Sequence, residues 1–135
     1  MEYQKLHVMV ADDMQAIRML TRSVLQHLGI RQITECPNGY IAWKRLREEH
    51  FDLIICDWDM PEMDGLTLLQ HLRQSEEERL QQLPFLMLTG HASTDMVRQC
   101  IKAGVSDFVV KPFQPKALSD KISAQLAQRD RQPVS

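Results

Sequence analysis

The sequence has little of several residue types that mark specialised proteins. Glycine occurs 5 times, proline 6 times and cysteine 3 times in 135 residues, and 6% of the residues are aromatic. These amounts exclude a collagen-like chain and a scaffold held by many disulfides. The sequence also has no excess of basic residues: it contains 16 lysines and arginines and 18 aspartates and glutamates, which gives a net charge of -2. We therefore expect no general binding of nucleic acid.

Long apolar runs and metal-binding cysteine pairs are missing as well. The apolar stretch after Lys5 is only a few residues long, much shorter than a signal sequence or a membrane span. We therefore expect a soluble cytoplasmic protein that contacts no membrane. Cys36, Cys56 and Cys100 form no CxxC pair and are interpreted as buried free thiols. No two histidines have the i, i+4 spacing of a helical zinc pair, which disfavours a transition-metal site.

The composition that remains is that of one globular domain, with 44% hydrophobic and 25% charged residues. Five short apolar runs recur along the chain. Four of them are nearly continuous, which is typical of strands covered on both faces in a parallel sheet, whereas the more polar second run suits an edge. The runs cover residues 6–11, 33–36, 53–56, 85–88 and 108–110.

A helical pattern follows each run. The first extends from Met14 to Gly29, the second begins at Asn38, the third covers residues 66–72, the fourth extends from Ser93 to Gly104, and the fifth covers residues 116–127. Residues 76–78 are interpreted as loop. This order predicts an α/β fold: a doubly wound five-stranded parallel sheet with helices on both faces. We place the domain at residues 1–128 and a polar C-terminal tail at residues 129–135.

Polar side chains directly follow the apolar runs. Because parallel strands end at the same edge of a sheet, these side chains are expected to meet there: Asp12, Asp13, Asp57, Thr89 and Lys111. Each alone has an ordinary structural explanation, such as a helix cap for the Asp12-Asp13 pair or a solvated charge for Lys111. Three neighbouring carboxylates, however, repel one another unless a cation neutralises them.

Oxygen ligands without histidine or cysteine select Mg²⁺ or a similar hard ion. A metal, a lysine and a hydroxyl around a carboxylate make a phosphoryl-transfer site. In it the cation and Lys111 neutralise the phosphoryl oxygens, Thr89 donates a hydrogen bond, and a carboxylate attacks in line. The product is an acyl phosphate.

Four motifs in order resemble the receiver domains of two-component response regulators. They are Asp12-Asp13 after the first strand, CDWDMPEMDG at residues 56–65, MLTG at residues 87–90 and FVVKPF at residues 108–113. The resemblance covers about residues 5–127 and is close to the single-domain chemotaxis type. It implies a flavodoxin-like sheet with strand order 2-1-3-4-5.

The resemblance also implies roles for individual residues. Asp57 would accept a phosphoryl group from a phosphohistidine of a sensor histidine kinase, and Lys111 would hold a phosphoryl oxygen. Thr89 would then move toward the phosphoryl group and Phe108 would turn inward, so the domain is a phosphoacceptor and switch rather than an enzyme. Mg²⁺ would be bound by Asp12, Asp13, Asp57 and the backbone carbonyl of Asp59.

Three positions depart from the chemotaxis pattern. Asp59 stands where relatives commonly carry asparagine, and His91 lies two residues after the threonine. Both flank the water that would hydrolyse the acyl phosphate, so we hypothesise that they set the lifetime of the phosphorylated state. Phe108 replaces a frequent tyrosine, which puts in doubt any output that needs a phenolic hydroxyl.

The output surface would comprise the fourth helix, the fifth strand and the fifth helix, roughly residues 95–103, 107–111 and 115–127. Its mixture of basic and apolar residues suits a downstream partner protein. Alternatives stay open: a receiver cut from a larger regulator, a phosphorelay shuttle, or a binding module without phosphotransfer. A haloacid-dehalogenase-like phosphatase is a distant rival. Asp57 and Asp59 form the DxD pair of that class, but Pro61 breaks its pattern, and only isolated aspartates follow where it needs a later acidic pair.

Overall fold

The computed structural model describes residues 2–90 and 93–131. Five parallel strands form one sheet in the order β2-β1-β3-β4-β5, which confirms the predicted fold class and strand order. The strands are β1 (His7–Ala11), β2 (Gln32–Cys36), β3 (Leu53–Asp57), β4 (Phe85–Thr89) and β5 (Asp107–Val110). The helices are α1 (Gln15–His27), α2 (Gly39–Glu48), α3 (Gly65–Arg73), α4 (Glu78–Gln81), α5 (Thr94–Ala103) and α6 (Pro115–Arg131), and a 3-10 turn at Tyr3–Lys5 precedes β1.

Two apolar cores, one on each face of the sheet, explain why the strands read as continuous apolar runs. Alternate residues of a strand point to opposite faces. On β3, Ile54 joins the core under α2, α3 and α5, whereas Ile55 joins the core under α1 and α6. All five residues of β3 and of β4 are buried, while β2 at the sheet edge buries only Cys36.

The helix ends at Asn38, Ser93, Gly29 and Gly104 agree with the prediction, and Asp64 is a further capping residue. The side chains of Asn38, Asp64 and Ser93 each accept a hydrogen bond from the backbone N–H three residues later, at 2.8, 2.8 and 3.3 Å. Gly29 and Gly104 follow α1 and α5 with φ of 98° and 93°, a left-handed conformation that favours glycine. These caps fix where the loops leave the sheet.

Two predicted boundaries were wrong. Residues 76–78 were assigned to a loop, but Glu78 begins the one-turn helix α4, because Leu80 is buried in the core. The last helix was expected to end at Ala127 but continues to Arg131, and the Arg129 side chain forms an ion pair with buried Asp52. The predicted start of the tail at residue 129 therefore lies inside α6. The domain boundary at residue 128 stays a prediction.

The three cysteines are free and buried, as predicted. In the part of the chain that the structure describes, no helix combines the length and the apolar character needed to cross a membrane.

Candidate phosphoryl-transfer site

The carboxyl edge of the sheet brings the predicted side chains together. Asp57 ends β3 and Thr89 ends β4, while Asp12 and Lys111 directly follow β1 and β5. The Lys111 ammonium lies 3.1 Å from Asp12 Oδ2 and 3.0 Å from Asp57 Oδ1. A single lysine thus bridges two carboxylates that come from two different strands.

Asp12, Asp13 and Asp57 form an acidic cluster in which one oxygen of each lies within 4.8 Å of the others. Asp12 and Asp57 are buried, whereas Asp13 is exposed. Burial and the neighbouring charge of Asp12 raise the pKa of Asp57 to about 6, although the contacts with Lys111 act in the opposite direction. Burial also raises the pKa of Asp12. The cluster therefore holds more negative charge than Lys111 neutralises.

This donor set fits a hard divalent cation. All three groups are carboxylates that converge on one point, and the most exposed of them leaves the cluster open to solvent. Oxygen ligands of this kind suit Mg²⁺, which keeps part of its water shell and binds phosphate oxygens there.

Lys111 keeps its charge in this environment. Burial alone would lower the pKa of its ammonium, but hydrogen bonding to Asp57 and the charge of Asp12 outweigh burial and raise it. The ammonium is therefore protonated at neutral pH and available to a phosphoryl oxygen. The peptide bond between Lys111 and Pro112 is cis.

Close backbone packing places Asp57. Trp58 N–H donates to the Leu88 carbonyl at 2.8 Å, and Gly65 N–H donates to the Trp58 carbonyl at 2.8 Å. A Cβ on Gly65 would lie 2.4 Å from the Asp57 carbonyl oxygen, a distance that no side chain tolerates. Only glycine therefore lets α3 begin this close to the end of β3. Gly65 was noted in the sequence only as the last residue of the CDWDMPEMDG motif, so this constraint on the site was missed.

Thr89 and Phe108, the two proposed switch residues, lie on the neighbouring strands β4 and β5. Thr89 is buried and Phe108 is half-buried. Both line a small cavity between the sheet and α5 whose walls are Trp58, Thr89, Met96, Val97, Cys100 and Phe108. The two proposed switch residues thus line one cavity.

Of the two residues predicted to set the lifetime of the phosphorylated state, the structure describes only Asp59. Asp59 is exposed, and among the described residues its carboxylate is not a member of the acidic cluster. This leaves its backbone carbonyl, not its side chain, as the expected metal contact. His91 lies outside the described residues.

The predicted site omitted Arg18. Its guanidinium donates a hydrogen bond to the backbone carbonyl of Asp12 at 2.7 Å. The available signal was a basic residue in the helix that directly follows the acidic pair. A contact to a backbone oxygen, however, cannot be predicted from the type of the residue that carries this oxygen.

Comparisons with known proteins identify the family. The chain matches the profile of the response regulator receiver domain over residues 8–123. It is 36% identical over 115 residues to the chemotaxis protein CheY of Pseudomonas aeruginosa, covering 85% of this chain and 91% of that protein. The chain belongs to the response regulator receiver domain family, and the resemblance seen in its motifs is confirmed.

Solved structures agree with this assignment. The chemotaxis response regulator CheY4 of Vibrio cholerae has a TM-score of 0.82 at 28% identity, covering 90% of this chain and 98% of that chain. The receiver domain of a sensor histidine kinase of Pseudomonas aeruginosa shares the fold, with a TM-score of 0.80 at 23% identity and coverage of 90% and 98%. That domain has a magnesium ion coordinated in its active-site cleft. The family match favours a receiver over the haloacid-dehalogenase-like alternative.

Proposed function

We propose that this receiver domain accepts a phosphoryl group on Asp57 from a phosphohistidine of a sensor histidine kinase, in a reaction that needs Mg²⁺. The observation that carries the proposal is the bridge from Lys111 to both Asp12 and Asp57 beside a cluster of three carboxylates. Such a cluster is destabilising by itself, and a bound cation would compensate its negative charge.

The transfer conserves atoms and charge without another reactant. A carboxylate oxygen of Asp57 attacks phosphorus, the new P–O bond forms as the P–N bond breaks, and the imidazole leaves with the bonding electrons. The Lys111 ammonium, now 3.0 Å from Asp57 Oδ1, would pair with a phosphoryl oxygen, and the Thr89 hydroxyl would donate to another. The domain is thus a phosphoacceptor that assists its own modification.

Asp12, Asp13 and Asp57, with the backbone carbonyl of Asp59, would hold the Mg²⁺. When bound, the ion would neutralise charge on the phosphoryl oxygens. The magnesium in the active-site cleft of the kinase receiver domain supports this part of the proposal. The carboxylates themselves must be ionised to bind it, which the raised pKa of Asp57 makes dependent on pH.

Phosphorylation would be read at the surface of α5, β5 and α6. Thr89 and Phe108 line a cavity against α5, so a movement of Thr89 toward the phosphoryl group would reach that helix. Basic side chains border this surface: Arg98, Lys102, Lys116 and Lys121. We propose a downstream protein partner with acidic groups, and the similarity to CheY proteins points to control of chemotaxis in the cytoplasm.

Intact-mass analysis after incubation with acetyl phosphate or phosphoramidate tests the proposal. With Mg²⁺ we expect a gain of one phosphoryl group. The gain should disappear when EDTA replaces Mg²⁺ and in the Asp57→Asn variant. A gain that survives either change, or no gain under any condition, would refute the assignment of Asp57.

A phosphorelay or a larger regulator is the second candidate. Receiver domains that belong to histidine kinases are among the similar solved structures, which favours this candidate. Mixing the phosphorylated domain with a histidine phosphotransfer protein distinguishes the two. Rapid transfer of the label supports a relay, and a stable label with capture of another target supports a terminal switch.

A further inference from the structure

Asp13 is the member of the acidic cluster whose side chain is held least. Asp12 accepts the Met14 N–H at 2.9 Å and pairs with Lys111, and Asp57 also pairs with Lys111. Among the residues that the structure describes, none forms a hydrogen bond or ion pair with the Asp13 carboxylate, which is exposed. Its placement in the cluster therefore depends on its backbone.

The backbone just before Asp13 is held by Arg18. The Arg18 Nη1 donates to the carbonyl oxygen of Asp12 at 2.7 Å. That oxygen belongs to the same planar peptide unit as the nitrogen of Asp13. Fixing the direction of the carbonyl therefore fixes the plane from which the Asp13 side chain emerges.

Arg18 is fixed in turn by Glu35 on the edge strand β2. The two oxygens of Glu35 receive two arginines of α1: Arg18 Nε at 3.3 Å and Arg22 Nε at 2.7 Å. The Arg18 side chain is 17% exposed, so solvent competes weakly for these contacts. One planar guanidinium serves both partners at once, which a lysine ammonium on a flexible stem reproduces poorly.

We propose that Arg18 is a positioning residue that orients the Asp12–Asp13 peptide and so places the Asp13 carboxylate to bind a divalent cation. This inference rests on the proposed function, because it concerns the same cluster.

The sign of the effect separates positioning from simple electrostatics. A positive charge near three carboxylates repels a cation, so removal of Arg18 for reasons of charge alone would tighten Mg²⁺ binding. Loss of positioning would weaken binding, because Asp13 would no longer be held toward the cluster. The groups that orient metal ligands typically contribute about 10- to 100-fold in metal affinity.

Mg²⁺ titration by calorimetry on the full chain tests the inference. Arg18→Met should weaken Mg²⁺ binding about tenfold. Arg22→Met is the matched control, since it removes the other arginine of Glu35 and a 3.2 Å bond to the Ile33 carbonyl but does not touch Asp12. It should change the affinity by less than about twofold. Thermal unfolding without metal shows whether both variants fold. Unchanged or tighter binding in Arg18→Met would overturn the inference.

A double variant keeps the test independent of general damage. In an Asp13→Asn background, Arg18→Met should weaken Mg²⁺ binding no further, since it acts through Asp13. Arg18→Lys should not restore the affinity. An equally large loss in the Asp13→Asn background would refute positioning.

The two proposals fail in different ways. A wild-type chain that binds no Mg²⁺ and gains no phosphoryl group would overturn both. Normal Mg²⁺ binding and phosphoryl gain, with Arg18→Met like wild type, would overturn only the role of Arg18.

Discussion

Two buried aspartates at opposite edges of the sheet have the same exposure and contrasting surroundings. Asp52 and Asp57 are each 5% exposed. Asp52, at the amino edge, accepts the His7 N–H at 2.9 Å, lies 3.3 Å from His50 Nε2 and pairs with Arg129. Asp57, at the carboxyl edge, pairs with Lys111 but faces other carboxylates.

This contrast separates a carboxylate that ties elements of the fold together from the proposed phosphoacceptor. The donors around Asp52 satisfy its charge and tie β1 and α6 to the start of β3. The carboxylates around Asp57 leave its charge in excess, and its pKa is raised to about 6. Burial alone therefore does not distinguish the two aspartates, whereas an unmatched buried charge marks Asp57 as the candidate functional residue.

Phosphorylation should separate the two aspartates completely. Asp57→Asn removes the nucleophile, so no phosphoryl gain is expected. Asp52→Asn keeps the shape of the side chain and lies at the other edge, so it should take up one phosphoryl group like the wild type. Intact-mass analysis with acetyl phosphate and Mg²⁺ measures both. If a folded Asp52→Asn variant took up no phosphoryl group, the proposed contrast between Asp52 and Asp57 would be wrong.

Asp52 should matter for stability, although it should not matter for phosphorylation. Asp52→Ala leaves the His7 N–H and the Arg129 guanidinium without their acceptor, so we expect a loss of about 3 kcal/mol in the free energy of unfolding. Urea denaturation at pH 7 without metal measures it. The exposed Asp95→Ala is the control and should cost far less. A loss below that of the control would show that the amino-edge contacts are not stabilising.

Metal-free Asp57→Asn should be more stable than wild type by about 1–2 kcal/mol at pH 7. The pKa of Asp57 is raised from 3.8 to about 6, so its ionisation favours the unfolded chain. This destabilisation is absent below pH 3.8 and complete above about pH 6. The difference between the variant and wild type should therefore grow as pH rises through this window. Urea denaturation at a series of pH values checks it, and a constant difference would contradict the raised pKa.

The smallest expected effect concerns the lifetime of the phosphorylated state. The exposed Asp59 carboxylate can orient the hydrolytic water, so Asp59→Asn should slow dephosphorylation roughly threefold. His91→Ala tests the second position. Loss of label over time gives the rates. Glu62→Gln, another exposed carboxylate in the same loop, is the control, and equal decay in all variants would remove the hypothesis.

Local patterns predicted most of the architecture. The runs that became β3 and β4 are apolar at every position because both faces are covered. Asn38 and Ser93 predicted helix starts, since capping depends on the residue and its near neighbours. The short helix α4 was not predicted, because its one buried leucine gives no apolar periodicity. The end of α6 was predicted too early, because Arg129 pairs with Asp52, which is distant in the sequence.

The sequence by itself determined the class of this protein and the members of its acidic cluster. Strand ends can be read from apolar runs, and parallel strands end at one edge, so Asp12, Asp57 and Lys111 could be expected to meet. Only the tertiary structure decided how charge is balanced there and which aspartate is structural. Asp52 directly precedes β3 and Asp57 ends it, and Arg18 contacts a backbone oxygen. Such distinctions depend on distances between groups far apart in the chain, and folding alone sets those distances.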